Sequence, residues 1–238
     1  MKIQLKSVES TQAYLKEKVL EGGVFQHLDC VVSPVQTAGL GRQGRPWIAE
    51  SGNLHASLYL HPGQLPLTWI PLWIGVSVAR VMLEYGVTRE QVRIKWPNDV
   101  VDAGSGAKIA GVLCEKVQRI VIAGVGVNLR SAPQVQGRIT TSLADLTGLA
   151  LPPEIPDDFL DRLLAELKFE PYLRVLKKTY EDWAWFRPGD SIRFEDAVTR
   201  EEGHGRVVGY GEYGEMIITT ANGERRLLSE EVHLKSRS

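Results

Sequence analysis

The sequence is short of the features that mark secreted, metal-clustered or membrane-embedded proteins. It has only two cysteines, Cys30 and Cys114. Two thiols build no disulfide framework, and no CxxC pair is present for zinc. Each lies in an apolar, β-prone run, so buried free thiols are expected. The start, Met1-Lys2-Ile3-Gln4, has no apolar leader, and no run approaches the ~18 apolar residues that span a bilayer. The expected location is therefore the cytoplasm, with no membrane partner. An excess of either charge is also lacking: 28 Lys and Arg stand against 29 Asp and Glu. A near-neutral chain is a poor general nucleic-acid binder, although a local basic patch stays open. Internal repeats and low-complexity tracts are absent.

The 238 residues suffice for one sizeable domain and a small one. Ser10 or Thr11 can cap a helix running to about Glu21, closed by Gly22 and Gly23. Leu28 to Pro34 and Asn53 to Leu60 have strand character, as do Gln91 to Lys95, Lys108 to Val117 and Arg119 to Val127. Trp69 to Tyr85 has helical apolar spacing. Ser142 to Thr147, Pro156 to Lys168 and Tyr172 to Trp185 read as further helices, with Pro171 between the last two. After Pro188 the pattern changes to short strands separated by glycine turns such as Tyr213-Gly214 and Asn222-Gly223. That spacing suggests a small SH3-like barrel, with the domain boundary near Phe186: residues 1–186 first, 187–238 second.

Between two strands, Gln36 to Gly52 forms a long polar loop of the kind that serves as a lid or binding loop. Gly39-Leu40-Gly41-Arg42-Gln43-Gly44 matches GxGxxG literally. A dinucleotide fingerprint also requires a helix at the third glycine and an acid about twenty residues on. Here Arg45-Pro46-Trp47 follows, and no acid lies near Tyr59. An anion clamp fits better: glycines admit phosphates close to backbone N–H groups, and Arg42 and Arg45 add fixed charge. Taken alone, the loop is equally compatible with an ordinary surface loop.

Three other segments carry chemistry. Lys95-Trp96-Pro97-Asn98-Asp99 puts a lysine and a carboxylate at a strand end, where Asp99 suits Mg²⁺ or merely a turn. Lys108-Ile109-Ala110-Gly111 begins a strand with a lysine, a position that is often only solvated. Gly126-Val127-Asn128 ends an apolar strand with an amide able to bond a ribose or phosphate, or to cap a turn.

Together these residues resemble the biotin protein ligases. Ser10-Thr11-Gln12, the stretch from Gln36 to Trp47, the KWPND run at 95–99, Lys108 to Gly111 and Gly126 to Asn128 fall in that family's order and approximate spacing. The resemblance covers essentially the whole chain. It implies an α+β fold: a mixed sheet of the class II synthetase-like biotin/lipoate ligase type, plus a C-terminal SH3-like barrel. It implies activation of biotin by ATP and Mg²⁺ to biotinyl-5′-AMP, then transfer to a lysine of a biotin carboxyl carrier protein, that of acetyl-CoA carboxylase. By the resemblance, Ser10, Thr11, Gln12 and Gln36 hold biotin, with Gly39, Leu40, Gly41, Arg42, Lys108 and Gly111. Arg42, Arg45, Trp47, Asn98, Asp99, Lys108 and Asn128 hold the nucleotide, and Asp99 a Mg²⁺. Lys108 and Arg42 are the expected catalytic residues. Family members occur as monomers and as homodimers built through the sheet.

One departure stands out: Leu40 replaces an arginine common in the family loop, leaving Arg42 and Arg45 as the loop's only arginines. Alternative readings are a lipoate–protein ligase, a biotin-sensing repressor and a module that binds the adenylate without making it. The first lacks its arginine and triple-glycine signature here. The second needs a DNA-binding segment, for which the ten residues before Thr11 leave no room, so no DNA partner is expected.

Overall fold

The computed structural model describes residues 1–196, 199–228 and 231–236. Positions 197–198, 229–230 and 237–238 of the expected barrel lie outside the described residues. Seven strands form a mixed sheet: β1 (Lys2–Gln4), β2 (Cys30–Val32), β3 (Leu54–Leu60), β4 (Val92–Lys95), β5 (Asp99–Asp102), β6 (Lys108–Val117) and β7 (Ile120–Val127). Their order is β1-β2-β3-β7-β6-β5-β4, parallel only between β1 and β2. The expected strands form, with trimmed ends. β1 and β5 go beyond the sequence reading. The turn at Asn98-Asp99 is real, but it is a hairpin that sends the chain straight back, pairing Lys95 with Asp99.

Alternation along the strands gives the sheet two different faces. Leu54, Ala56, Leu58 and Leu60 of β3 lie with Val121, Ala123, Val125 and Val127 of β7 in the main core. This face is covered by α2 (Ile70–Glu84), α4 (Ile155–Glu166) and α5 (Leu173–Trp183); the short α3 is Leu143–Thr147. On the other face α1 (Thr11–Leu20) buries Leu15 against Val31, Ile120 and Ile122. The Ser10 side chain caps α1 by accepting from the Ala13 N–H at 3.4 Å, and Gly22 leaves the helix at φ +87°. α1 covers only part of its face, and the rest is left to the Gln36–Gly52 loop.

Residues 67–84 correct one expectation. This 3₁₀ turn plus α2 is long and apolar enough by composition to cross a bilayer, but 67% of it is buried as the central helix of the core. Both cysteines are unpaired, and burial pushes their thiols up, to about 11 for Cys30 and about 12 for Cys114.

The C-terminal segment is a five-stranded antiparallel, SH3-like sheet: β8 (Ser191–Glu195), β9 (Glu202–Tyr210), β10 (Met216–Thr220), β11 (Gly223–Leu227) and β12 (Glu231–Ser236). Two buried tryptophans fasten it to the larger sheet. Trp69 Nε1 donates to the Glu212 carbonyl and Trp96 Nε1 to the Gly214 carbonyl, each at 2.8 Å. The Tyr210 hydroxyl donates to the Phe186 carbonyl, also at 2.8 Å.

Candidate active site

Strand register builds the site floor. One row runs across five strands: His55 opposite Gly126, Gly126 opposite Gly111, Gly111 opposite Asp99, and Asp99 opposite Lys95. The adjacent row on the same face is Ser57, Gly124 and Leu113. Three glycines in neighbouring strands remove every side chain from the middle of both rows, leaving a trough. A Cβ added at Gly126 would come within 2.3 Å of the Trp47 indole. One at Gly124 would lie 2.9 Å from Gln12 Oε1, and one at Gly111 2.8 Å from Lys108 Nζ. The glycines are therefore needed for close approach, and side chains from other elements roof them.

One end of the trough is a closed hydrogen-bond network. Gln36 Oε1 accepts from the Thr11 N–H at 2.8 Å and from the Thr11 hydroxyl at 3.1 Å. The Thr11 and Ser57 hydroxyls are 2.9 Å apart, and Ser57 donates to Gln12 Oε1 at 3.1 Å. Gln12 Nε2 donates to Glu115 at 2.9 Å and to the Ile122 carbonyl at 3.1 Å. Glu115 also pairs with Lys16 at 2.9 Å. Burial pushes its carboxyl up, and the bonds from Lys16 and Gln12 outweigh this, holding it below its usual value.

The other end is cationic. Lys108 Nζ lies 2.6 Å from Asp99 Oδ1 and 5.3 Å from the centre of the Trp47 ring. Arg42 donates to Asn98 Oδ1 at 3.1 Å, and the Asn98 amide donates to the Val112 carbonyl at 2.8 Å. This joins the loop to the KWPND hairpin. The loop closes on itself: Trp47 N–H donates to the Gly39 carbonyl and Gly41 N–H to the Arg45 carbonyl, both at 2.8 Å. Lys95, Arg45 and Arg138 also face the cavity, whose volume is about 370 Å³. Among the described residues Asp99 is the only acid lining it, so the cavity suits an anion.

Of the residues singled out in the sequence, Ser10, Thr11, Gln12, Gln36, Leu40, Gly41, Arg42, Arg45, Trp47, Asn98, Asp99, Lys108 and Gly111 line one cavity. Two do not. Gly39 forms the base of the loop, where a Cβ would meet the Trp47 carbonyl at 2.4 Å. Asn128 is buried beneath the site, and its amide donates to the carbonyls of Lys108 and Thr141. It holds the start of β6 in place instead of facing the cavity. Among the described residues no group of three or more His, Cys, Asp or Glu is arranged for a metal. The sequence reading missed His55, Ser57 and Gly124, along with the rim supplied by Val232 and His233 of the C-terminal sheet. Alternation within β3 and β7 carried a signal for the first three; nothing local signalled the rim.

The Biotin/lipoate A/B protein ligase family model matches residues 5–130. The chain belongs to that family. Within it, the chain is 30% identical to the biotin–(acetyl-CoA-carboxylase) ligase of Paracoccus denitrificans over 220 residues, 85% of this chain and 88% of that protein. It is 34% identical to the enzyme of that name from Mycobacterium tuberculosis over 164 residues, 67% of this chain. The chain spans 59% of that relative, and 38% of the bifunctional ligase/repressor of Escherichia coli. The biotin protein ligase of Aquifex aeolicus, solved with biotin and ATP, superimposes with a TM-score of 0.79 at 30% identity, covering 98% of this chain and 99% of that one.

Proposed function

We propose that the chain is a biotin–protein ligase that activates biotin with MgATP and transfers it to a lysine of a biotin carboxyl carrier protein, that of acetyl-CoA carboxylase. The observation that carries this reading is the trough itself. A polar network stands at one end, and Lys108, Arg42 and Asp99 stand at the other. An elongated carboxylate with a polar head fits those two ends. We place the division between the catalytic and C-terminal domains at 186/187, and the protein in the cytoplasm, where its substrates are.

In the first step a carboxylate oxygen of biotin attacks the α-phosphorus of ATP. An O–P bond forms, and the bond to the β-phosphate oxygen breaks to release pyrophosphate. Two anions must meet, with a repulsion of roughly 1 kcal/mol at 4 Å in water and about 4 kcal/mol at an effective dielectric of 20. Lys108 offsets this by contacting both the carboxylate and the phosphate, exchanging its ion pair with Asp99 for the substrates. Arg42 and Arg45 hold the phosphate from the loop side. No general base is needed, because a carboxylic acid of this type is ionised at pH 7. Among the described residues the cavity offers one carboxylate, Asp99, so a Mg²⁺ here would ride mainly on the nucleotide's phosphates with Asp99 as its protein ligand, and would supply further charge neutralisation.

In the second step the neutral amine of the carrier lysine attacks the acyl carbon, a C–N bond forms and AMP leaves. Asp99, released from Lys108, takes the proton from that amine in this reading. Closure of the loop, with Trp47 over the trough, keeps water from the mixed anhydride.

Biotin-dependent exchange of labelled pyrophosphate into ATP tests the reading. Stimulation by biotin and not by lipoate is expected. Stimulation by lipoate alone would move the chain to the lipoate branch of the family, and exchange with neither would leave a binding module.

A further inference from the structure

The connection between α4 and α5 carries side chains that no role above uses. Phe169 is 76% exposed and Tyr172 84% exposed, with Val175 more than half exposed on the first turn of α5. A single exposed apolar residue is ordinary, but three on one short connection form a patch. Lys168, Arg174, Lys177 and Lys178 flank them in sequence. The one acid among them, Glu170, is turned inward. Its carboxylate accepts from the backbone N–H groups of Gly63, Gln64 and Leu65 at 3.0, 2.6 and 3.0 Å.

The neighbouring α4 treats its charges differently. Asp157 and Asp161 reach Lys2, Arg162 pairs with Asp158 and Glu84, and Glu166 pairs with Arg80. Arg174, Lys177 and Lys178 make no ion pair among the described residues. Lys168 Nζ lies 5.6 Å from the centre of the Phe169 ring, so cation and aromatic are carried together. The corner is therefore cationic, and what it binds must bring negative charge. Its mounting is also firm. A Cβ at Gly63 would come within 2.6 Å of the Glu170 carboxylate, so the clamp needs glycine there. A connection clamped beforehand presents its rings with a smaller ordering cost.

We propose that this corner docks on an anionic lipid bilayer: Phe169 and Tyr172 enter the headgroup region, and Lys168, Arg174, Lys177 and Lys178 lie against the lipid phosphates. Rings that project suit the yielding surface of a bilayer better than the matched surface of a folded partner. Aromatic bodies with long basic side chains beside them are also the composition of a membrane interface. The expectation of no membrane partner rests on the lack of a spanning run, and a surface contact needs none. α5 packs on the core face of the sheet, away from the trough, so a docked chain keeps its cavity open to the carrier.

Co-sedimentation of the full chain with lipid vesicles tests this. Vesicles of three parts phosphatidylcholine to one of phosphatidylglycerol are expected to pellet the chain, and pure phosphatidylcholine is not. At about 1 M salt, where the Debye length is ~3 Å, the pelleted fraction should fall about fivefold or more. Phe169→Ser with Tyr172→Ser should weaken binding by about tenfold, and so should Lys177→Glu with Lys178→Glu. Pyrophosphate exchange should be unchanged in both variants, because none of these residues lines the cavity. No pelleting with the anionic vesicles, or equal pelleting of the aromatic variant, would overturn the assignment. Should a variant not fold, hydrogen exchange of the unmodified chain decides. Anionic vesicles are expected to slow exchange at residues 168–175, and slowing elsewhere or nowhere would overturn it. A dimer that the aromatic variant dissolves, with no vesicle binding, would give the corner to a second copy of the chain and overturn it as well.

Discussion

The two ends of the trough are built on opposite principles. At the Thr11 end every side chain has its bond: Gln36, Thr11, Ser57, Gln12, Glu115 and Lys16 form an unbroken chain of contacts without a ligand. Along the His55–Asp99 row the bonds are incomplete. Trp47 Nε1 is buried without a hydrogen bond, His55 has only a backbone contact at Ser33, and Asp99 Oδ1 is held by Lys108 at 2.6 Å. The first end is preorganised, which lowers the ordering cost of binding. In the proposed reaction, the second holds polar groups whose partners arrive with the substrates. That division suits an enzyme that must recognise one acid and then act only when a nucleotide joins it.

Lys108→Ala should have the largest effect. Removing one well-placed charge stabiliser costs about 10²–10³ in rate. Exchange of pyrophosphate should fall by that factor while the Thr11 network keeps the melting temperature nearly unchanged. Normal exchange would remove Lys108 from the mechanism.

Next in size is the response to acid. His55 carries a folded pKa of about 4 against an ordinary value of 6.5. The unfolded chain therefore binds the proton first as pH falls. Stability from the buried neutral ring is whole above pH ~6.5 and is lost as pH drops toward 4, at roughly 1.4 kcal/mol per unit, or about 3 kcal/mol in all. Urea unfolding at pH 7 and pH 4.5 should show this loss, and its difference from His55→Phe isolates it from the carboxylates. Equal pH dependence in both proteins would show that the ring is not buried in its neutral form.

Arg42→Ala breaks the bond to Asn98 that ties the loop to the KWPND hairpin. Release of the adenylate should quicken by about tenfold, equivalent to ~1.4 kcal/mol, with little change in stability. Stopped-flow measurement of an unchanged release rate would assign the clamp elsewhere. The smallest effect belongs to the preorganised end. Thr11→Ala removes bonds to Gln36 and Ser57, and should cost about 1 kcal/mol of folding stability in urea, together with some biotin affinity. A loss confined to affinity would show that this end, too, is completed only by ligand.

Much of the site was legible because its chemistry is local in sequence. The Ser10 cap, the loop from Gln36 to Trp47, the turn at Pro97-Asn98 and Lys108 each follow from short-range signals, and the fold brings nearly all of them to one cavity. Other features depend on pairing between distant strands, which no single segment displays. The glycine trough exists only because Gly124 and Gly126 meet Gly111 and His55 in register. Asn128 looked equally suited to a ribose or a cap, and only the packing of Lys108 and Thr141 around it settles which atoms it bonds. β5 was hidden because a hairpin turn and a chain end have the same residues. The apolar length of residues 67–84 is a core helix because the larger sheet and two other helices pack around it.

The most direct measurement is a crystal structure of the chain with biotin and a non-hydrolysable ATP analogue. The biotin carboxylate is expected within hydrogen-bond distance of Lys108 Nζ, with Asp99 released from that lysine and the ring head at the network of Thr11, Gln36 and Ser57. Biotin bound with its carboxylate away from Lys108, or with the Lys108–Asp99 pair intact, would contradict the division of the trough into a preorganised end and an end that the substrates complete.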